Sequence, residues 1–270
     1  MGFLRSSGHS TRVVLGFMRL SIKSRWVDRG DFLIGALSIA LHQGLGIAFL
    51  GVVFGNVPHL AGWEFAEVLF VFGSFHTVTS LFYFFFSWTL WFSDLYLVNR
   101  RLDAILCRPV PALLQIIAEG AGRSLAELPG LAFGVTILTY SANRLVLEVS
   151  PPKGVALALL LLAGVAVLGG LFTLLALSAF WFRATRSAAE PLLPVLDFAQ
   201  YPLTIYSGWL RFVFTFLLPL GAVSYWPGAW LLRAETASLA WVAIPWVLGL
   251  WVAVSVIWRV GVRRYQSAGT

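Results

Sequence analysis

The sequence predicts an all-α, polytopic membrane protein, on the strength of its composition, the spacing of its apolar runs and the pattern within them. Hydrophobic residues make up 59% of the 270 residues and charged residues only 11%, too few charges for a surface that faces water. Apolar stretches of about 20 residues, enough to cross roughly 30 Å of hydrocarbon, recur along the whole chain. Because runs such as 155–168 lack the polar–apolar alternation of a barrel strand, these spans are predicted to be helices.

Six transmembrane helices account for the apolar runs most economically. Five runs are well defined, and the stretch between residues 191 and 232 supplies one or two more. The well-defined runs cover residues 32–54, 65–86, 125–143, 155–181 and 239–258. The tryptophans that flank these runs, among them Trp88 and Trp226, are interpreted as anchors at the headgroup level.

The basic residues indicate the orientation of the spans. Most of them lie in the two terminal segments and in every second segment between the spans. Because short basic segments stay on the cytosolic side, both termini are predicted to lie in the cytosol. The net charge of +7 is therefore attributed to topology, and no nucleic-acid partner is expected. The predicted inside residues are Arg5, Arg12, Arg19, Lys23, Arg25, Arg29, Arg100, Arg101, Arg108, Arg123, Arg183, Arg186, Arg259, Arg263 and Arg264. The predicted outside retains Arg144, Lys153, Arg211 and Arg233.

The N-terminal segment is predicted to be an interfacial helix over residues 11–30. At 100° per residue Arg12, Arg19 and Lys23 share one face, and apolar side chains fill the other. It should lie on the cytosolic leaflet in contact with lipid, and contact with a protein partner is the alternative interpretation. No cleavable signal peptide is expected, since the first long apolar run begins only at Phe32.

Motifs for bound nucleotide, metal or catalysis are missing from the sequence. There is no Walker-type phosphate-binding loop, and neither a nucleophile elbow nor a His-Glu-x-x-His pattern occurs. Cys107 is the single cysteine, interpreted as an apolar filler. His42 and His76 lie in the first two spans without neighbouring ligands, which favours internal hydrogen bonding or a cavity-facing position over metal binding. This chain is therefore expected to bind no cofactor and to be no enzyme by itself.

Two segments stand out from the apolar background. The connector over residues 99–115 combines four charges with Pro109 and Pro111, which restrict the backbone and predict a stiff element able to transmit a partner's movement. Several prolines interrupt residues 190–235, where Asp197 is the clearest membrane-embedded charge. Broken backbone at membrane depth is tolerated where protein or a water-filled cavity covers it, so this region should line a path or a gate.

Both segments resemble the permease subunits of bacterial type-two ABC exporters, in the branch for drug and small-molecule efflux. The connector matches a Leu-Asp-x-x-Leu-x-Arg-Pro-x-x-x-Leu-x-Gln signature at Leu102, Asp103, Leu106, Arg108, Pro109, Leu113 and Gln115. Residues 198–206 match Phe-Ala-Gln-Tyr-Pro-Leu-x-Ile-Tyr, followed by Trp209, Leu210, Arg211, Pro219, Tyr225 and Pro227. Ser207 and Gly208 stand where a proline is common.

The resemblance implies one permease domain over residues 1–270 of the bacterial inner membrane, with an elbow helix before six spans. The fifth span would cover residues 191–206, and short helices in an outer re-entrant region, 207–235, would precede the last span. Coupling to the ATPase would involve Arg100, Arg101, Leu102, Asp103, Leu106, Arg108, Pro109 and Gln115. The substrate path or gate would involve Asp197, Phe198, Gln200, Tyr201, Pro202 and Tyr206.

The resemblance also implies the partners. Two ABC ATPase subunits would carry ATP and Mg, and a second permease, the same or related, would face this one across the path of an amphipathic small molecule. A stand-alone secondary transporter and an integral-membrane lipid-modifying enzyme are the alternatives. The scarcity of mid-membrane acidic residues and the missing catalytic motifs count against them.

Overall fold

The computed structural model describes residues 29–182, 188–233 and 242–265, all within one helical bundle. No β-strand occurs in these ranges, which confirms the all-α prediction. Five helical segments there are long and apolar enough to cross a membrane: Phe32–Asn56, Phe65–Trp91, Leu125–Arg144, Pro151–Phe180 and Ala243–Arg264. They coincide with the five well-defined apolar runs. The predicted interfacial helix lies almost wholly outside the described residues.

Ten α-helices are described, and those numbered here follow the chain. The long ones are α1 (Arg29–Asn56), α2 (Phe65–Phe86), α5 (Leu128–Arg144), α6 (Pro151–Leu177) and α10 (Ala243–Arg264). The shorter ones are α3 (Arg101–Leu106), α4 (Ala112–Arg123), α7 (Leu193–Leu196), α8 (Gly208–Phe212) and α9 (Tyr225–Leu232). A 3-10 turn over Ser87–Trp91 and a π-helical turn over Ser93–Val98 continue α2 toward the connector.

Helix α2 is the centre of the bundle. It packs against α4, α5, α6 and α9, and most of its residues are buried, whereas α1 is exposed along most of its length. Where α2 crosses α5, Gly73 and Gly134 allow the two backbones to approach closely: a Cβ at Gly134 would lie 2.7 Å from the Thr77 backbone nitrogen. Small residues at a crossing are the usual means by which membrane helices associate.

The stretch between residues 190 and 233 is a chain of short helices. Turns of 3-10 helix alternate with α7 over residues 190–205, and Leu218 and Pro219 separate the helical segments 208–217 and 220–232. Hydropathy favours one span over 212–232, but the break at Leu218 and Pro219 interrupts it. No continuous helix forms over 191–206 either, so the broken backbone predicted for this region is present.

Two of the tryptophans interpreted as anchors are instead part of the core. Trp226 is 1% exposed, and a Cβ at Gly221 would lie 2.7 Å from its indole nitrogen. Trp88 is 3% exposed and packs edge-on against Phe92. The interpretation was wrong for these two because flanking an apolar run does not determine which face of the bundle a side chain occupies.

Arg233, at the end of the irregular region, contacts the start of α2 and the residues just before it. Its Nη2 lies 2.7 Å from Glu67 Oε2 and donates to the Gly62 carbonyl at 2.8 Å, and its guanidinium stacks over the Trp63 ring. The Trp63 indole nitrogen in turn donates to Thr204 Oγ1 at 2.8 Å. These contacts fix residues 204–233 on the end of the bundle opposite the connector.

Replacing Arg233 by Met is therefore expected to destabilise this end. The methionine keeps the apolar stem but leaves the half-buried Glu67 carboxylate without the guanidinium, which should cost about 1–2 kcal/mol. A lower apparent Tm of the detergent-solubilised protein checks this. Arg144→Met is the matched control, because the hydrogen bond and the cation–π contact of Arg144 are both with Tyr140 of its own helix, and equal losses for both variants would contradict the assignment.

Candidate functional site

The connector folds as a compact helical hairpin. Arg100 adopts a left-handed backbone (φ 56°) that ends the π-helical turn and starts α3. Residues 107–111 then reverse the chain, and α4 begins after Pro111, whose fixed φ suits a helix start. The connector is thus a helical hairpin, and the stiffness inferred from its two prolines stays a prediction.

Gln115 holds the hairpin closed from inside. Its side chain is 5% exposed, and its Nε2 donates to the Val110 carbonyl at 2.7 Å and to the Ile105 carbonyl at 3.2 Å. These carbonyls end α3 and the turn after it. One buried amide thereby satisfies backbone groups that the helix end leaves without intrahelical partners.

Asp103 connects the hairpin to the end of the last long helix. The Tyr265 side chain, directly after α10, lies close enough to the Asp103 carboxylate for that group to affect its pKa. Burial raises the pKa of the Tyr265 hydroxyl, and the nearby, negatively charged Asp103 raises it further, while Arg100 lowers it. The hydroxyl therefore stays protonated at neutral pH.

An aromatic cluster continues this connection into the bundle. Phe180 lies edge-on to Tyr265, Trp258 and Phe92, with ring centroids 6.4, 6.0 and 5.5 Å apart respectively. It joins the ends of three spanning segments directly beneath the hairpin. The hairpin and α10 therefore adjoin a set of packed aromatic rings.

The predicted coupling residues separate into two groups in the structure. Leu102 and Gln115 are buried and hold the shape, and Asp103 is half-buried against Tyr265. The exposed group comprises Arg100, Arg101, Leu106, Arg108 and Pro109. Arg101 Nη1 lies 3.0 Å from Glu119 Oε1 of α4. The exposed group forms a basic surface that also carries the apolar Leu106.

Replacing Gln115 by Leu should loosen the hairpin. The change removes both hydrogen bonds while nearly preserving volume, and the two carbonyls lose a buried donor, at a cost of about 1–2 kcal/mol. Amide hydrogen exchange over residues 105–111 is expected to accelerate. Leu114→Gln, on the exposed neighbouring position, is the control, and unchanged exchange in Gln115→Leu would contradict the role given to this amide.

A second candidate site is a cavity of about 310 Å³ between α1, α2, the turn before α5 and the end of α7, lined by both apolar and polar residues. His42 and His76 lie near the middle of their helices, so the cavity lies at about mid-height of α1 and α2. Its polar lining residues are Ser38, His42, Gln43, His76, Thr79, Ser80, Tyr83, Glu127 and Asp197. Ionisable side chains inside a spanning bundle indicate a functional site by default.

Gln43 and His76 form the inner wall of this cavity. Gln43 Nε2 and His76 Nδ1 are 3.2 Å apart, and the two side chains are 4% and 5% exposed. The rings of Phe72 and Phe75 pack edge-on against the imidazole, with centroids 4.3 and 5.1 Å away, and hold its orientation. The sequence-based interpretation of His76 as an internal hydrogen-bonding residue agrees with this geometry.

The predicted path residues do not converge on one cavity. Of the six, only Asp197 lines it. Phe198 and Tyr206 pack together elsewhere, where the Tyr206 hydroxyl donates to the Phe198 carbonyl at 2.7 Å. Tyr201 lies edge-on to Phe49 of α1, and Pro202 is buried while Gln200 is half-buried. These residues belong to the broken segment, and their role in a path between two permeases stays a prediction.

Sequence reasoning overlooked Gln43 and Glu127 as site residues. Glu127 is the third residue of the apolar run 125–143 and ends the 3-10 turn before α5, so an acid within a predicted span was the available signal. Gln43 gives no such signal, because only its contact with His76 distinguishes it. Among the described residues, no group of three or more His, Cys, Asp and Glu side chains could hold a metal ion.

The bundle of long apolar helices with a charged hairpin at one end defines a polytopic membrane protein. The family described as ABC-2 family transporter protein matches residues 40–269, most of the chain. The chain therefore belongs to the ABC-2 transporter family. No curated protein and no solved structure matches it.

Proposed function

We propose that this chain is the permease subunit of an ATP-driven exporter of amphipathic small molecules or drugs in the bacterial inner membrane. The observation that carries the proposal is the hairpin at residues 99–115, in a chain of the ABC-2 transporter family. It presents a basic surface on a rigid base and is tied to α10 through Asp103 and Tyr265. A separate ABC ATPase, carrying ATP and Mg, is the partner that this surface fits.

In this proposal the segment between residues 190 and 233 completes a six-span permease. Residues 191–206 take the place of the fifth span, and the short helices α8 and α9 re-enter from the outer face. The N-terminal segment is the elbow helix, and both termini are cytosolic. Two such permeases, the same or related, enclose the path.

The mechanism is alternating access driven from the hairpin. ATP binding draws the two ATPase subunits together, and each hairpin transfers the displacement through Tyr265 and the Phe180 cluster to α10 and α6. The permease interface then changes from inner-leaflet access to outward release. Each state must make different contacts with the ATPase, since a ligand shifts only an equilibrium whose states it distinguishes.

A pull-down of the tagged full-length chain from its native host, in mild detergent, tests the proposal. Mass spectrometry is expected to recover an ABC ATPase subunit, and the presence or absence of a sister permease distinguishes a heterodimer from a homodimer. Recovery of the permease alone from gently solubilised membranes would contradict the proposal and favour a stand-alone carrier.

A further inference from the structure

We propose that Gly261, near the end of α10, is a positioning residue for the coupling between the hairpin and the spanning helices. The space left by its missing side chain holds the Phe180 ring, and the ring in turn keeps Tyr265 beside the hairpin. This deepens the proposed function: the coupling role rests on that function, whereas the position of Tyr265 does not depend on it.

The Phe180 ring lies directly against the backbone of Gly261. A Cβ at Gly261 would lie 2.8 Å from both Cγ and Cε2 of Phe180, and closer still to Cδ2. Real Cβ atoms are essentially never found within 3.0 Å of another heavy atom. Because Cγ lies on the axis of ring rotation, turning the ring about χ2 does not remove this contact. A side chain at residue 261 therefore requires either the ring or the end of α10 to move.

Other aromatic rings limit where Phe180 can go. Trp258 and Tyr265, three residues before and four residues after Gly261, lie on the same side of α10 and pack edge-on against the ring. Phe92, between the two turns that follow α2, packs edge-on against it as well. The ring thus occupies a notch in which Gly261 is the floor and aromatic side chains are the walls.

Gly261 also contacts the backbone of Tyr265. The Tyr265 N–H donates to the Gly261 carbonyl at 2.9 Å and so closes the last turn of α10. The Tyr265 side chain lies close enough to Asp103 and Arg100 of the hairpin for both to affect the pKa of its hydroxyl. A shift of α10 at Gly261 would therefore move Tyr265 relative to the hairpin, because the ring contact and the backbone contact meet at one residue.

The other glycine of α10 provides a comparison. An added Cβ at Gly249 has nothing within 4 Å, so this position has no such notch. Glycine is less favourable than alanine in the interior of a helix, and this difference applies to both positions. Gly249→Ala should therefore be neutral or mildly stabilising. Gly261→Ala should be harmful, since the forced contact with Phe180 outweighs the gain in helix propensity.

Hydrogen exchange over residues 101–106 of the solubilised full-length chain tests the position of Tyr265. Gly261→Ala is expected to accelerate this exchange about three- to tenfold, and Gly249→Ala, the matched control, should leave it unchanged. Adding Gly261→Ala to Phe180→Ala should change nothing further, because the ring that needs the space is gone. Equal acceleration by Gly261→Ala with and without the ring, or no acceleration at all, would overturn the proposal.

The amount of dye accumulated per ATP hydrolysed, in inside-out vesicles that hold the ATPase, tests the coupling role. A purely structural loss reduces the amount of assembled transporter and lowers both rates together, which leaves their ratio unchanged. Gly261→Ala is expected to lower the ratio about three- to tenfold. An unchanged ratio despite faster exchange would overturn the coupling role.

A second variant keeps the test decisive if Gly261→Ala does not reach the membrane. Phe180→Leu removes the ring from the notch without adding an atom to α10, and it is expected to lower the same ratio. An unchanged ratio in Phe180→Leu would contradict the proposal equally.

Failure of this proposal and failure of the exporter give different results. Unmodified vesicles without ATP-dependent accumulation would contradict the exporter, whereas the exchange experiment needs neither ATP nor the ATPase. Faster exchange in Gly261→Ala but not in Gly249→Ala would then still support the position of Tyr265. Unchanged exchange in a chain that does export would contradict the positioning role alone.

Discussion

Reversing the charge at both Arg101 and Arg108 is expected to reduce ATP-dependent export at least about tenfold without preventing membrane insertion. Both side chains are exposed on the hairpin surface, and replacement by Glu would turn charge-assisted contacts with the ATPase into repulsion. Hydrogen bonds to charged groups contribute about 1.5–3 kcal/mol each, so losing two is sufficient for this effect. ATP-dependent accumulation of a hydrophobic fluorescent dye in inside-out vesicles measures export.

A control must distinguish the loss of coupling from a loss of local stability, because Arg101 also forms an ion pair with Glu119. Glu119→Gln removes this ion pair but retains the positive charge of Arg101, and it should keep near-normal export. ATP hydrolysis by the co-purified ATPase is expected to persist in the double reversal, uncoupled from dye accumulation. Unchanged accumulation after both reversals would contradict the coupling role of the hairpin.

Replacing Gly134 by Val should prevent α2 and α5 from packing as they do. An added Cβ would lie 2.7 Å from the Thr77 backbone nitrogen and 2.9 Å from Thr77 Oγ1, closer than real contacts allow, and the nearest atom is backbone that a rotamer change cannot move. Overpacking of this kind costs about 1–3 kcal/mol, with the upper end expected here because α2 is the centre of the bundle.

The measurement is the apparent Tm of the solubilised protein together with its yield in the membrane fraction, both of which should fall. Gly51→Val is the matched control: it places the same residue within a spanning helix, where an added Cβ has nothing within 4 Å. If the two variants lose equal stability, the cause is helix propensity and not the contact between α2 and α5.

Local hydropathy was sufficient to predict the long helices. Each of the five apolar runs became a helix because lipid requires every backbone group to find its partner within the segment, which depends on no distant residue. The irregular stretch was also predictable from its prolines. Its partition was not, since the sequence marks Pro194, Pro219 and Pro227 alike, whereas in the structure the chain breaks at Leu218 and Pro219 and stays helical at the other two.

Residues 99–115 were predicted as one charged connector, but neither its helical hairpin nor the position of each residue in it was predicted. Leu102 and Arg108 both belong to the signature, but Leu102 is buried and Arg108 is exposed. The link from Asp103 to Tyr265 crosses more than half of the chain. No local pattern indicates it, because only the arrival of α10 beside the hairpin brings the two side chains together.

The sequence by itself determined that the chain crosses the membrane several times as helices, and that its charged connector and broken segment differ from the rest. The tertiary structure alone decided that Gln43, His76, Glu127 and Asp197 share one cavity. Hydropathy and charge are properties of neighbouring residues, whereas these side chains come from four separate segments. Which helix faces meet is set by close packing at small residues such as Gly73 and Gly134, and so by the whole bundle.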